Sequence, residues 1–420
     1  MLADLTIPGP VLLLTINGGS SSIRFSVYET GPTLHKRLSG KIDRIGLDNS
    51  ALAYTAFPGH DHISATQRPG SGHPDTHDHL PIRAADMREA ACSLIDWLES
   101  QINFDRISAV GHRIVYGMDH TAAALINADL LHELYQAVLY DPEHLPGEIK
   151  LVESIRDRHP RLTQVACFDT AFFAHLPRLA KILPIPRRFE KAGIKRYGFH
   201  GLSYTSLLEQ LMRYAPPQAV MGRCILAHLG NGASITAVRD QQPIDTSMGF
   251  TPAGGLPMGT RSGDLDPGIT WVLMRKEKIS IKHINRLVNH ESGLLGISET
   301  SSDMEDLLLK ESTDERAAEA VAFFCYQVKK YIGSYSAALG GLDLLAFTGG
   351  IGENAACIRS RICAGLQYLG IELDEERNQR NGLLISADSS RIPVYCIPTD
   401  EESIIAKTTA SLVPYSTPQP

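Results

Sequence analysis

None of the seven cysteines (92, 167, 224, 325, 357, 363 and 396) forms a Cys-x-x-Cys pair, and their odd number offers no disulfide framework. This usage fits a reducing compartment, with the thiols expected to be buried as small apolar side chains. Positive charge is not in excess: 40 Lys+Arg face 47 Asp+Glu, for a net charge of −7, which leaves no basic face to favour nucleic acid. Uninterrupted apolar stretches all fall short of the roughly 20 residues that cross a bilayer, which excludes membrane-spanning helices. A Lys/Arg-rich start is also lacking, and the apolar run Val11 to Ile16 stops at Asn17-Gly18-Gly19 with no small-residue cleavage site, so a soluble, cytoplasmic protein is expected. What the chain does have is 420 residues at 43% hydrophobic content, enough for a core in each of two domains.

Val11 to Ile16 reads as a strand, Asn17 to Ser22 as a Gly/Ser turn, and Ile23 to Tyr28 as a second, alternating strand. The same arrangement returns midway, as apolar Cys224 to Leu229, the turn Gly230-Asn231-Gly232 and alternating Ala233 to Val238. Two such hairpins suggest a duplicated domain, with chance similarity of glycine turns as the competing explanation. A third turn, Gly349 to Asn354, follows the strand Leu344 to Thr348 and precedes a helix-compatible segment, an order suited to phosphate. Val321, Phe324, Cys325, Val328, Tyr331, Ile332 and Tyr335 recur at helical spacing up to Gly340-Gly341, and Leu207, Leu208, Leu211 and Met212 mark another buried helix face. The alternation of strands and helices predicts an α/β architecture. Pro58 to Pro81, with His60, His62, His73, His77 and His79, reads as a solvated insertion loop, and Ser416 to Pro420 as a frayed tail.

Three residue sets bear on chemistry. The glycine turns at 17–22, 228–232 and 349–353 can each aim backbone N–H groups at a polyphosphate, and none ends in the Lys-Ser/Thr of a Walker A loop. Cationic and aromatic residues gather in Gly111 to Val115, Tyr197 to Gly201 and Gly259 to Gly268. Arg261, flanked by Gly and Ser, suits an anion; Arg113 alone reads equally as a strand-end salt bridge, and His200 as a satisfied half-buried histidine. The acidic set is Asp169, isolated among apolar residues, and Asp400-Glu401-Glu402, where one or two carboxylates would suffice for an oxygen-ligated Mg²⁺. Glu401 and Glu402 also fit a solvated helix start.

With these motifs in this order, from Leu12 nearly to the end, the chain resembles the acetate kinase family, which includes propionate and butyrate kinases and belongs to the actin-like kinase superfamily. The resemblance rests on Asn17 to Ser22, Phe168 to Phe172, Arg196 to Gly201, His228 to Gly232, Asp245 to Pro252, Met258 to Gly268, Phe347 to Asn354 and Pro398 to Glu402. It implies two duplicated ribonuclease-H-like lobes with a nucleotide cleft between them, 1–170 with 403–420 and 171–402, and a homodimer formed mainly through the second lobe. The implied reaction is reversible phosphoryl transfer from ATP to acetate, with Mg²⁺ (or Mn²⁺) as the cation. The alternatives are a kinase for another short acid or donor, and a catalytically weak nucleotide-binding regulator.

Carried over by position, Asp169, His200 and Arg261 resemble the catalytic residues, and Asn17 and Glu401 the Mg²⁺-associated ones. Arg113 resembles the substrate carboxylate ligand, with Val115, Leu139, Phe199 and Pro252 lining the acyl pocket. The nucleotide is expected at Arg24, at His228, Leu229, Gly230, Asn231 and Gly232, at Asp303, Met304 and Glu305, and at Gly349, Gly350, Ile351, Gly352 and Glu353. Because a small carboxylic acid is already ionised at neutral pH, Asp169 is expected to orient Mg²⁺ or an arginine rather than to move a proton. The chain departs from the family pattern at Glu305, where Arg is usual, and at Tyr116-Gly117, Tyr140-Asp141 and Ala253-Gly254.

Overall fold

A computed structural model describes residues 11–19, 21–47, 49–57 and 75–413. The chain divides into two units: the residues up to Ala171 together with those from Glu401, and Phe172–Asp400.

The first unit starts with the expected hairpin, β1 (Leu12–Gly18) and β2 (Ile23–Glu29), paired antiparallel from Leu12↔Glu29 to Gly18↔Ile23. β3 (His35–Asp43), β4 (Ala51–Ala56) and β5 (Asp75–Pro81) extend the sheet beyond β2, each antiparallel to the one before. On the other side β6 (Ile107–Ile114) runs parallel to β1, and β7 (Ala124–Leu125) closes the edge antiparallel to β8 (Thr163–Phe168), itself parallel to β6. β1 is buried at every position because both faces are covered. Leu12, Leu14 and Ile16 join the core made with the helices Met87–Gln101 and Leu145–Arg158, while Leu13 packs with Ala406 of the helix Glu401–Leu412.

In the second unit β9 (Arg223–Leu229) and β10 (Ala233–Arg239) form the second expected hairpin, and β11 (Gln242–Thr246) pairs antiparallel with β10. β12 (Leu344–Thr348) and β13 (Val394–Cys396) follow in parallel on the far side of β9. The order β11-β10-β9-β12-β13 repeats the order β3-β2-β1-β6-β8, strand direction for strand direction. The helix Glu315–Leu339 buries Val321, Phe324, Cys325, Val328, Ile332 and Tyr335 as its periodicity predicts but leaves Tyr331, at the edge of that stripe, half-buried, and stops at Gly340, whose φ of +72° favours glycine.

Three sequence expectations change. The last seven residues of the histidine-rich segment are not loop: they form β5 by pairing with the open edge of β4, and a strand with one neighbour, such as exposed Thr76 and Leu80 show, needs no apolar alternation. The rest of that segment, 58–74, lies outside the described residues, as does the tail from Ser416. Met212 follows buried Leu211 around the helix Gly201–Tyr214 and is 39% exposed. Cys92 is exposed on the outer face of its helix and Cys357 is half-buried, while the other five thiols are buried. No helix among the described residues is long and apolar enough to cross a membrane.

Candidate active site

In the first unit three neighbouring parallel strands deliver polar residues at their C-terminal ends, where open α/β sheets bind ligands. Asn17 ends β1, Arg113 lies near the end of β6, and Asp169 follows β8. Asp169 is fully buried, and its Oδ2 accepts from Arg113 Nε at 2.8 Å and Nη2 at 2.7 Å. Arg113 Nη1 reaches the Gly18 carbonyl at 3.3 Å and Asn17 Oδ1 at 3.4 Å. Burial works against the charge on Arg113, but neighbouring carboxylates, Asp169 first and then Glu401, more than offset it, and the guanidinium is held above its ordinary range. The strand-end salt bridge is real, and it fixes this cation in place.

Asn17 Nδ2 donates to Glu401 Oε2 at 2.8 Å and Glu402 Oε1 at 3.3 Å, so one amide aligns two carboxylates. Both acids open the helix Glu401–Leu412, whose N-terminal end favours negative charge. Arg24 sits opposite Asn17 in the β1–β2 register and is exposed. Val115 is buried, whereas Leu139 is 81% exposed. Next to Arg113, buried His112 bonds Gln164 Oε1 through Nε2 at 2.7 Å, and its burial lowers its pKa to about 4.

In the second unit the turns after β9 and β12 abut. Gly349 has φ +80°, and a Cβ there would lie 2.7 Å from the Leu229 carbonyl oxygen, so only glycine permits the contact. The expected turn at Gly349 is itself helical, Gly349–Asn354, starting directly at the end of β12. Glu353 Oε1 accepts from Gly349 N and Thr399 N, both at 2.9 Å. Thr399 Oγ1 in turn bonds Ser203 Oγ at 2.9 Å, and Ser203 Oγ bonds His228 Nδ1 at 2.8 Å. Ile351 and Gly352 lie within this helix and Gly350 on its exposed side.

His200 precedes the helix Gly201–Tyr214 in the left-handed region, φ +63°, its Nδ1 2.9 Å from Ser234 Oγ and its ring stacked on His228 with centroids 4.1 Å apart. A Cβ added to Gly232 would lie 3.5 Å from His200 Nε2 and 3.8 Å from Arg261 Nη1. Two cationic or proton-bearing groups therefore converge on a point that carries no side chain. Gly259 is pressed between Asn231 and the Ser302 carbonyl, which ties the Gly230–Gly232 turn to the segment leading to Asp303. Asp303 caps the helix Met304–Lys310 through the N–H of Glu305; Met304 is buried and Glu305 exposed. Phe199 and Pro252 are buried, and the Pro252 carbonyl accepts from Arg261 Nη1 at 3.4 Å.

The sequence reading missed two buried charged residues. Arg359 donates to the carbonyls of Gly352 at 2.8 Å and Glu353 at 3.0 Å, and to Asn378 Oδ1 at 2.8 Å, bracing the second turn from behind. Glu148 accepts the Val115 N–H at 3.1 and 3.2 Å with its two oxygens. Each had a signal: Arg359 stands beside Ile358 and three residues before Ile362, and Glu148 falls in line with Leu145, Leu151 and Val152, so both occupy apolar helix faces.

Two sheets of one strand order, each presenting polar residues at the C-terminal ends of its parallel strands, define a duplicated α/β fold of the actin-like ATPase type. Crystal structures of a propionate kinase from Francisella tularensis and an acetate kinase from Porphyromonas gingivalis are similar to this chain, with TM-scores of 0.82 and 0.80 at 34% and 33% identity. Each match covers 96% of this chain, and 99% and 100% of the two others. The acetate kinases of Rhodopseudomonas palustris (strain TIE-1) and Dictyoglomus thermophilum are both 40% identical, over 94% and 96% of this chain and 97% and 99% of their own. The model of the acetokinase family matches residues 12–407. The chain belongs to the acetokinase family.

Proposed function

We propose that this chain is a cytoplasmic kinase transferring the γ-phosphoryl group of ATP to acetate, reversibly, to give acetyl phosphate and ADP. The observation that carries the reading is the convergence of His200 and Arg261 on Gly232, between glycine turns suited to a polyphosphate. A carboxylate with a pKa of about 4 to 5 is ionised at neutral pH, so the nucleophile needs no base. One acetate oxygen attacks the γ-phosphorus, the bond to the oxygen bridging to the β-phosphate breaks, and ADP leaves with that electron pair; no proton changes hands. What the protein must supply is position and charge.

Arg113, held by Asp169, takes the acetate carboxylate, and Val115, Leu139, Phe199 and Pro252 are assigned to its methyl group. Asp169 orients Arg113, as the two bonds to its Oδ2 support. His200 and Arg261 stabilise the charge spread over the transferring group. The nucleotide is assigned to Arg24, His228–Gly232, Asp303–Glu305 and Gly349–Glu353. Among the described residues no three His, Cys, Asp or Glu side chains gather as a metal cage. The hard oxygens of Asn17 and Glu401 nonetheless fit Mg²⁺, which commonly binds through one or two carboxylates and completes its shell with phosphate and water. Held there, Mg²⁺ would supply neutralisation of the polyphosphate charge. The helix Pro267–Lys276 buries none of its residues and leaves Trp271 64% exposed, which supports a homodimer formed through the second unit.

The test traps acyl phosphate as hydroxamate, offering acetate, propionate and butyrate with ATP. Acetate is expected to turn over best, and Arg261→Ala to lose at least about a hundredfold in kcat. Nucleotide binding without turnover of any acid would leave a regulator instead.

A further inference from the structure

Glu148 is buried, with 3% of its surface exposed, and among the described residues its side chain takes a hydrogen bond only from the Val115 N–H, shared between its two oxygens at 3.1 and 3.2 Å. An ionised carboxylate so far from water needs two or three donors or a cation of its own. The nearby cation, Arg113, is already engaged by Asp169, Asn17 and Gly18. The charged groups acting on Glu148 are Arg113 from β6, Asp141 from the turn before its helix and Asp169 after β8. β1 presents to it the neutral Gly18, and the helix Met87–Gln101 meets this turn through Met87, beside Gly147. Asp141 is itself buried, with one oxygen on His144 Nδ1 at 2.8 Å and the other without a partner. Burial raises the pKa of Glu148 well above the carboxylate range; Arg113 opposes this and Asp141 adds to it.

The consequence follows from counting charges. With Asp169 ionised against Arg113, an uncharged Glu148 adds no further negative charge beside the guanidinium before a carboxylate arrives. An ionised Glu148 would add one and oppose that substrate.

We propose that Glu148 is a positioning and specificity-determining residue of the carboxylate subsite: as an uncharged acid it fixes the backbone N–H of Val115 and adds no negative charge beside Arg113. The inference rests on the kinase reading above and deepens it. It predicts that the amide isostere is tolerated and the truncated side chain is not.

The experiment measures KM for acetate and for ATP, and kcat, by hydroxamate trapping at pH 7 with the full chain, Glu148→Gln and Glu148→Ala. Gln should keep the acetate KM within about twofold of the parent, whereas Ala, leaving the Val115 N–H unsatisfied, should raise it about tenfold with the ATP KM unchanged. A Gln variant as impaired as Ala would mean that charge is required, and would overturn the proposal. So would an unchanged acetate KM in Ala, or equal losses in both KM values, which mark a merely structural residue. Should Ala fail to fold, the acetate KM of Gln still decides. An inactive parent would sink the kinase reading before any variant is compared; an active parent with the wrong variant pattern sinks this inference alone.

Discussion

At the scale of single residues, the neighbourhood of Arg113 is built from groups whose charge is set by burial. His112 faces Gln164 in a buried site, and its imidazole accepts a proton only near pH 4, against about 6.5 in the unfolded chain. Between those values the unfolded state binds more protons than the folded one, so stability is lost as pH falls from about 6.5 to about 4. The loss amounts to roughly 3 kcal/mol over that window. Urea unfolding at pH 7 and pH 4 should show it in the parent and not in His112→Gln; an identical slope in both would refute it. Neither the burial of His112 nor that of Glu148 could be read from the sequence with certainty, because a polar residue on an apolar face is satisfied only by partners far along the chain. Gln164 lies 52 residues from His112, and Val115 lies 33 from Glu148.

At the scale of elements, the glycine turns were legible because their cause is local. Gly349 is required by a positive φ and a close carbonyl, and both hairpins announce themselves by alternation around a turn. Their bracing was not legible. Glu353, Thr399 and Arg359 come together from the short helix after β12, the loop after β13 and the following helix Ala356–Cys363, and no sequence period links them. Arg359→Lys removes the planar fork that spans Gly352, Glu353 and Asn378 while keeping the charge. It should raise the ATP KM about tenfold and leave the acetate KM within about twofold. Steady-state kinetics with each substrate varied in turn decide this, and a change confined to acetate would show that the turn is braced otherwise. β5 was missed for the opposite reason: an edge strand takes its order from a neighbour's backbone, not from its own pattern.

At the scale of the molecule, the strand order shared by the two sheets shows that a faint likeness between two hairpins reflected a repeated architecture. The exposed face of the helix Pro267–Lys276, with Ile269, Trp271, Val272 and Met274, is the apolar surface least explained by a single chain. Trp271→Glu should convert a dimer to a monomer in sedimentation velocity without lowering the melting temperature of the isolated chain by more than a few degrees. A parent that sediments as a monomer at micromolar concentration would refute the dimer.

The helix Glu401–Leu412 packs its Ile405 and Thr409 against Gly111 of β6, and Ala406 against the β1 side of the same sheet. The sheet of the first unit is thus completed by the last helix among the described residues. During synthesis, where domains commonly fold from the N-terminus onward, the ribosome must make the whole second unit before the first can close. The second unit is free to fold first, and the earliest strands to emerge wait longest with one apolar face uncovered, a period in which a chaperone has most to protect.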